Sequence, residues 1–361
     1  MTIRKTYTVT CSRPYNYGAV LQTYALNRAL VQLGIDSKVL DYNPSYYRKS
    51  RFKQPKKLFR DVFRIPEMVK GKKVFGHFLD QYVPMSESMY TNEDAIIQNL
   101  PKADAYLAGS DQIWNCRSLP NGFDDTFFLT FAPQTAKKIA YAASLAMPSI
   151  PDSQKERYFR NISSFDAVSV REESGVRLLK ELGIPSVQNT IDPVFLLDRS
   201  EWDILAKDAP KHPREKYVLV YGYQQQKDVF QYAKKLADSL GTKVFNINTN
   251  LEDYWLRTDH YYWNASPNEF INLIKHAEAV VTNSFHGTAF SVLYNKPFHF
   301  FTVNNTTNSR ILDLLAALHL DSRHVRDSKL LLNELDYNVA NAEVERRRQS
   351  SLAFLKQALE Q

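Results

Sequence analysis

The chain has 361 residues, enough for two globular domains or one large one. Its 44% hydrophobic and 24% charged residues are the proportions of a globular protein with a sizeable core, which excludes a disordered or fibrous chain. The net charge of +7 is uneven: residues 48–73 hold 11 Lys and Arg against two acids, Asp61 and Glu67, so this segment alone carries +9 and the rest is near −2.

Such a segment suits an anionic polymer or peripheral contact with an anionic membrane. Its plain alternative is a solvated loop and helix face. Nucleic acid is disfavoured, because no nucleic-acid module accompanies the charge. No apolar run approaches the ~18 residues of a spanning helix, and no apolar signal region follows the first residues. Cys11 and Cys116 are far apart and form no Cys-x-x-Cys pair. They exclude a disulfide scaffold or zinc ribbon and fit a reducing compartment, so the expected location is the cytoplasm, at the inner face of the membrane if the basic segment binds there.

In chain order, Tyr7 to Thr10 reads as a strand feeding a polar turn, Ser12 to Gly18. Val20, Leu21, Tyr24, Ala25, Leu26, Leu30 and Leu33 then recur at helical spacing, with Gly34 at the C-terminal stop. Ser37 to Tyr42 reads as a strand, and the basic segment as holding a helix from about Lys57 to Val69. Further strands are predicted at 104–108, 138–144, 167–170 and 187–191, with a helix at 173–182 closed by Gly183. Around 198–213 the composition turns polar, which marks a boundary. Beyond it come a strand at 216–221, a helix at 228–240 stopped by Gly241, and a strand at 243–248. Ser266-Pro267-Asn268-Glu269 is a helix start: the serine caps, the proline fits the first helical position, and the glutamate reaches back. That helix runs to His276. Strands at 279–282 and 297–302, a helix at 311–318 and a long amphipathic helix at 339–359 complete the chain.

Alternating strands and helices in two sets predict an α/β protein with two doubly wound domains and parallel sheets. The first is placed at 1–205, with residues 48–73 as a basic insertion, and the second at 206–335. A C-terminal helix, 336–361, is expected to pack back on the first. Ligands of such sheets bind outside the carboxyl ends of strands. The turns at Asn16, Asp111, Arg171 and His286 all follow strands and could converge on one cleft.

Val280 to Phe290 is the most informative stretch, a buried strand that stops at a polar turn and restarts as a helix. A helix start gathers unpaired N–H groups and partial positive charge, so Ser284, Thr288 and the backbone near Gly287 suit an oxyanion. His286 there can move a proton beside a bound anion, unless it is a structural histidine. Arg171 ends a strand and suits phosphate or carboxylate; a salt bridge to Glu172 or Glu173 is equally expected. In Gly109-Ser110-Asp111-Gln112-Ile113-Trp114-Asn115, carboxylate plus aromatic is a grammar of sugar binding. The alternative is Asp111 as a helix cap and Trp114 in the core. Asn16-Tyr17-Gly18-Ala19 lacks the second and third glycines of a dinucleotide fingerprint, the Walker lysine motif is absent, and no ligand cluster suggests a catalytic metal.

Taken together, Asn-Tyr-Gly-Ala-Val-Leu-Gln-Thr-Tyr-Ala-Leu (16–26), Gly-Ser-Asp-Gln-Ile-Trp-Asn (109–115), Val-Ser-Val-Arg-Glu (168–172), Asp-Pro-Val-Phe-Leu-Leu (192–197) and Thr-Asn-Ser-Phe-His-Gly-Thr-Ala-Phe-Ser (282–291) resemble the polysaccharide pyruvyl transferases. The resemblance implies two Rossmann-like domains facing across a cleft, as in type-B glycosyltransferases, with the first on the acceptor side and the second on the donor side. It implies transfer of the enolpyruvyl group of phosphoenolpyruvate to two hydroxyls of one sugar, in a polysaccharide or lipid-linked glycan, giving a cyclic ketal and phosphate without a cofactor. The residues it implies as catalytic are His286 and Arg171, and Asp111 is added as a candidate base. Asn283, Ser284, Phe285, Gly287, Thr288 and Arg310 are expected around the donor, and Asn16, Tyr17, Gly18, Gln112 and Trp114 around the acceptor. Many members carry an acid after the glycine of the first loop; here Ala19 follows Gly18. The alternatives are a glycosyltransferase using a nucleotide-sugar donor and a non-catalytic glycan-binding protein.

Overall fold

A computed structural model of the chain describes residues 3–49, 65–117, 123–210, 213–222, 227–248, 258–303, 308–327 and 329–360. They belong to two compact units, residues 1–58, 79–196 and 345–361 in the first and 59–78 and 197–344 in the second.

The first unit is built on strands β1 (Lys5–Val9), β2 (Asp36–Tyr42), β3 (Met85–Tyr90), β4 (Ala105–Ala108), β5 (Lys137–Ala143), β6 (Ala167–Val170) and β7 (Val187–Asn189). They form one sheet in the order β3-β2-β1-β4-β5-β6-β7, and every pair is parallel. The central strands are near-continuous apolar runs because helices cover both faces: Val9, Leu107 and Ile139 are completely buried. The second unit carries β8 (Tyr217–Tyr221), β9 (Lys243–Asn248), β10 (His260–Trp263), β11 (Ala279–Thr282) and β12 (Phe298–Phe300), again all parallel, in the order β10-β9-β8-β11-β12. Each sheet therefore reverses its winding once, between β1 and β4 in the first unit and between β8 and β11 in the second. These are the topological switch points at which such folds bind ligands.

The predicted strand and helix punctuation is met in place. Gly34, Gly183 and Gly241 close their helices in the left-handed region, at φ of 84°, 98° and 63°. Ser266 and Glu269 form both bonds of the capping box at helix Pro267–His276. The pattern misses β3 and β10. Each lies at the edge of its sheet and buries little, so hydrophobic periodicity is weak there. It also misses helices Glu93–Gln98, Asp152–Ile162 and Arg199–Lys207. The last of these, capped by Asp198, occupies the stretch read as a polar boundary.

The basic segment falls mostly outside the described residues. What is described is helix Ile65–Tyr82, longer than expected. Of the described residues, 65–78 group with the second unit, whereas the sequence reading attaches the insertion to the first. Within that unit Lys70 donates to the carbonyl of Trp263 at 2.7 Å, and its ammonium lies 4.7 Å from that indole's centre. The C-terminal helix, Asn338–Glu360, ends in the first unit. There Ser351 Oγ accepts from the Ile191 N–H at 3.0 Å, Arg347 Nη1 donates to Asn189 Oδ1 at 2.9 Å, and Arg348 Nε to the Phe195 carbonyl at 2.7 Å.

Candidate functional site

In the second unit the switch point is packed too tightly for side chains. A Cβ on Gly222, just past β8, would lie 2.0 Å from Asn283 Oδ1, and one on Gly287 would lie 2.3 Å from Thr282 Oγ1. Neither distance is tolerable, so glycine lets the ends of β8 and β11 and the following helix close together. Helix Phe285–Leu293 starts there, with Ser284 Oγ accepting from the Gly287 N–H at 3.4 Å. Thr282 Oγ1 accepts from the Ser284 N–H at 3.0 Å, and Thr288 Oγ1 donates to the Ser284 carbonyl at 3.1 Å. Thr288 is fully buried and its proton is used in shaping the turn, so the expected oxyanion role does not suit its hydroxyl. Asn283 and His286 are also buried. His286 stands in the helix's first turn with its ring edge-on to Phe285, centroids 5.1 Å apart. The Arg310 guanidinium lies 5.9 Å from the centre of the same Phe285 ring. The structure thus gathers an imidazole, a guanidinium and a helix start around Phe285.

In the first unit Arg171 sits at the end of β6, 8% exposed, and Nη1 donates to Asp192 Oδ2 at 2.5 Å. Glu172 Oε1 is 3.7 Å from its Nε and also accepts from the Ser144 hydroxyl. Burial pulls the guanidinium's pKa down, but Asp192, Glu172 and Asp111 together outweigh it and raise it above its ordinary value. Arg171 therefore remains a cation inside a pocket of carboxylates. The expected salt bridge is present, and its main partner is Asp192 rather than Glu173.

A bulge positions this cluster. The pairing of β5 with β6 slips between Ala140 and Ala143, and Ala142 adopts φ 49°. The Ser169 hydroxyl bridges the slip, accepting from the Ala142 N–H at 3.0 Å and donating to the Ala140 carbonyl at 3.1 Å. Beyond it, Ala143 bridges to Asp111, and the Ser144 N–H donates to the Asp111 carbonyl at 2.9 Å. Asp111 itself lies at φ 75°, a conformation Asp tolerates better than most, and its Oδ1 accepts from the Gln112 N–H. The structure therefore groups Asp111 with Arg171 on one sheet edge.

The expected acceptor residues have other duties. Asn16 Oδ1 accepts from the Ala19 N–H, capping helix Tyr17–Gln32, and Tyr17 and Gly18 are buried in its first turn. Gln112 Oε1 accepts from Asn115 Nδ2 at 2.8 Å. Trp114 is a correction: it is 1% exposed, stacks on Phe128 with centroids 5.4 Å apart, and donates Nε1–H to the Phe127 carbonyl. A sugar platform needs an open face, and this indole has none. Sequence reasoning assigned no role to Asp192, Ser144 or Gly222, while Glu172 was one of the two expected partners of Arg171. Asp192 stood inside a quoted motif; its pairing with Arg171 needed the fold.

No curated protein matches the chain. Among solved structures, it is similar to the UDP-GlcNAc 2-epimerase from Neisseria meningitidis bound to UDP-GlcNAc, at 14% identity and a TM-score of 0.51, covering 98% of this chain and 100% of that one. The UDP-N-acetylglucosamine 2-epimerase from Rickettsia bellii gives 12% identity and 0.50, covering 98% of each. At such identities the likeness shows the fold alone, two α/β units of the type-B glycosyltransferase kind. The sequence profile described as polysaccharide pyruvyl transferase matches residues 16–305. That span takes in the second sheet's switch point, Arg171 and His286, and the chain belongs to the polysaccharide pyruvyl transferase family.

Proposed function

We propose that the protein transfers the enolpyruvyl group of phosphoenolpyruvate to two hydroxyls of one sugar in a polysaccharide or lipid-linked glycan, forming a cyclic pyruvate ketal and releasing phosphate. The observation that carries this reading is His286 in the first turn of a helix at the second sheet's switch point, with Arg310 over the neighbouring Phe285 ring. A dianionic or trianionic donor needs positive charge and N–H groups, and a helix start beside a guanidinium supplies both.

His286 gives a proton to the methylene carbon of phosphoenolpyruvate, and the carbon bearing phosphate becomes cationic. A sugar hydroxyl adds to that carbon and loses its proton back to His286. The carbon–oxygen bond to phosphate breaks, and phosphate leaves with the bonding pair. The second hydroxyl then closes the ring and loses its proton. Of the two hydroxyl protons, one replaces that spent on the methyl group and the other goes to phosphate.

The test is phosphate release from phosphoenolpyruvate with a panel of sugar acceptors. His286→Ala is expected to cut acceptor-dependent release by at least about 10²-fold with an unchanged melting profile. Arg310→Ala is expected to raise the KM for phosphoenolpyruvate. Full activity in His286→Ala would sink the mechanism. Thermal stabilisation by UDP-sugars but not by phosphoenolpyruvate would favour a nucleotide-sugar glycosyltransferase instead, and sugar binding without turnover of any donor a glycan-binding protein.

A lipid-linked acceptor would bring the enzyme to a membrane, and Lys72 and Lys73 are exposed on helix Ile65–Tyr82. Vesicles containing anionic lipid should retain the protein at low salt and release it at high salt. Retention by neutral vesicles alike, or unchanged retention in a Lys72→Gln, Lys73→Gln variant, would remove that idea. Among the described residues, no helix is long and apolar enough to cross a membrane.

A further inference from the structure

Two buried arginines have opposite surroundings. Arg171 is clamped by Asp192 and Glu172. Arg323, 3% exposed, has no ion-pair partner among the described residues. Its hydrogen bonding is as sparse. Nη1 donates to the Asn333 carbonyl at 3.4 Å, and Nε is buried without a partner among the described residues. Nη2 bonds to none of them either.

The local fold explains the position. Arg323 ends the short 3₁₀ turn Asp321–Arg323, and the chain then runs alongside β12. His324 bridges to Phe300, and the Val325 N–H donates to the Phe300 carbonyl at 2.8 Å. Arg323 is thereby held beside His299 of β12, whose pKa it lowers, second to burial as a cause. Burial likewise lowers the pKa of Arg323, and the phenols of Tyr337 and Tyr232 are what works against it. The acids nearest in sequence, Asp321 and Asp327, are exposed, and Asp327 Oδ1 accepts from the Lys329 N–H. His299 adds a neutral donor. The Tyr232 oxygen accepts from the Leu331 N–H at 3.0 Å, so its own proton is assigned to His299 Nδ1, 2.8 Å away. The imidazole proton then sits on Nε2, which bonds to no described residue.

We propose that Arg323 anchors a site for a small oxyanion of the phosphate, sulfate or carboxylate type, with Nε and Nη2 toward two of its oxygens and His299 Nε2–H as a further donor. The site belongs to β12 and the chain that follows it, and it stands whether or not the transfer reaction proposed above is correct.

Three physical points carry this. A guanidinium does not shed its proton inside a protein, so burial leaves Arg323 charged. A buried charge without a counter-charge is costly, and native proteins pair such groups. The Nε–Nη2 edge is the planar fork that meets two oxygens of one anion, which favours an oxyanion over a halide. With no carboxylate facing the guanidinium among the described residues, nothing there repels an anion.

Selenate, an oxyanion of the same shape as sulfate and phosphate, tests the site in crystals of the intact protein grown without either. An anomalous selenium peak within hydrogen-bond reach of Arg323 Nε is expected. No peak there, or a site that fills with bromide and not with selenate, overturns the proposal. In solution, about 10 mM phosphate should raise the wild type's melting temperature by a few degrees beyond sodium chloride of equal ionic strength, in HEPES–Tris buffer. Arg323→Met should lose that increment. Because it removes an unpaired buried charge, it should also melt no lower than the wild type when phosphate is left out. Arg310→Ala, at the proposed donor turn, should keep the increment, which separates this site from phosphate held beside His286. An increment that survives in Arg323→Met, or disappears in Arg310→Ala, overturns the site. So does an Arg323→Met protein that melts well below the wild type without phosphate, since that arginine would already be satisfied within the fold.

Discussion

The carboxyl edges of the two sheets are held by different forces. In the first unit the edge over β5, β6 and β7 is organised by charge: Arg171 is clamped by Asp192 and Glu172, with Asp111 beside them. In the second unit the corresponding edge is organised by close packing. Gly222 and Gly287 let backbone and small hydroxyls meet, and the charged groups, His286 and Arg310, are arranged around an aromatic ring. The first arrangement suits an edge whose cation must stay fixed and ionised. The second suits an edge that presents a helix start and a proton-transfer group to an anion. The same fold thus reaches two specialised edges, one through ion pairs and one through glycine.

That contrast can be broken by substitution. The largest effect is expected in the first unit, where Asp192→Ala or Arg171→Ala strands a buried charge and should cost about 3–5 kcal/mol in urea unfolding. A loss below 1 kcal/mol, or one that grows with salt, would show that the pair is not what organises this edge. Because Arg171→Ala risks unfolding, Arg171→Lys is the better probe of activity.

The next effect is a pH dependence in the second unit. His299 is buried, with Nδ1 2.8 Å from the Tyr232 hydroxyl; burial, and then the nearby Arg323, lower its pKa from 6.5 to about 4. The folded state therefore resists protonation that the unfolded chain accepts. Its contribution is complete above pH 6.5 and is lost as pH falls through about 4. The span corresponds to about 3 kcal/mol. Denaturation of the wild type and of His299→Gln at pH 7 and at pH 4.5 should show the wild type losing more; equal losses would exclude this source.

Smaller still, Gly287→Ala should cost about 1–3 kcal/mol by overpacking against Thr282, and Gly222→Ala a similar amount against Asn283. Neutral substitutions would mean that the turn can give way and that packing does not set this edge. The smallest effects should be alike in both units. Asn16→Ala and Ser284→Ala each remove a helix cap, at about 1 kcal/mol apiece. A large asymmetry between them would place the difference in capping after all.

Much of this architecture was legible from residue order. Central strands announced themselves as apolar runs, and helix ends through Gly34, Gly183, Gly241 and the Ser266 box. The strands that escaped, Met85–Tyr90 and His260–Trp263, are edges with little to bury. The site was legible as a set of strand-end motifs but not as a set of contacts. Arg171 and Asp192 stand 21 positions apart. No local pattern links such residues.

By itself, then, the sequence determined the α/β class, the parallel sheets and the turns that carry polar groups, because periodicity and capping act within a few residues along the chain. The tertiary structure decided which of those groups share a sheet edge. Strand order joins residues distant in sequence, and burial assigns their roles: it sealed Trp114 in the core and closed Arg171 in carboxylates.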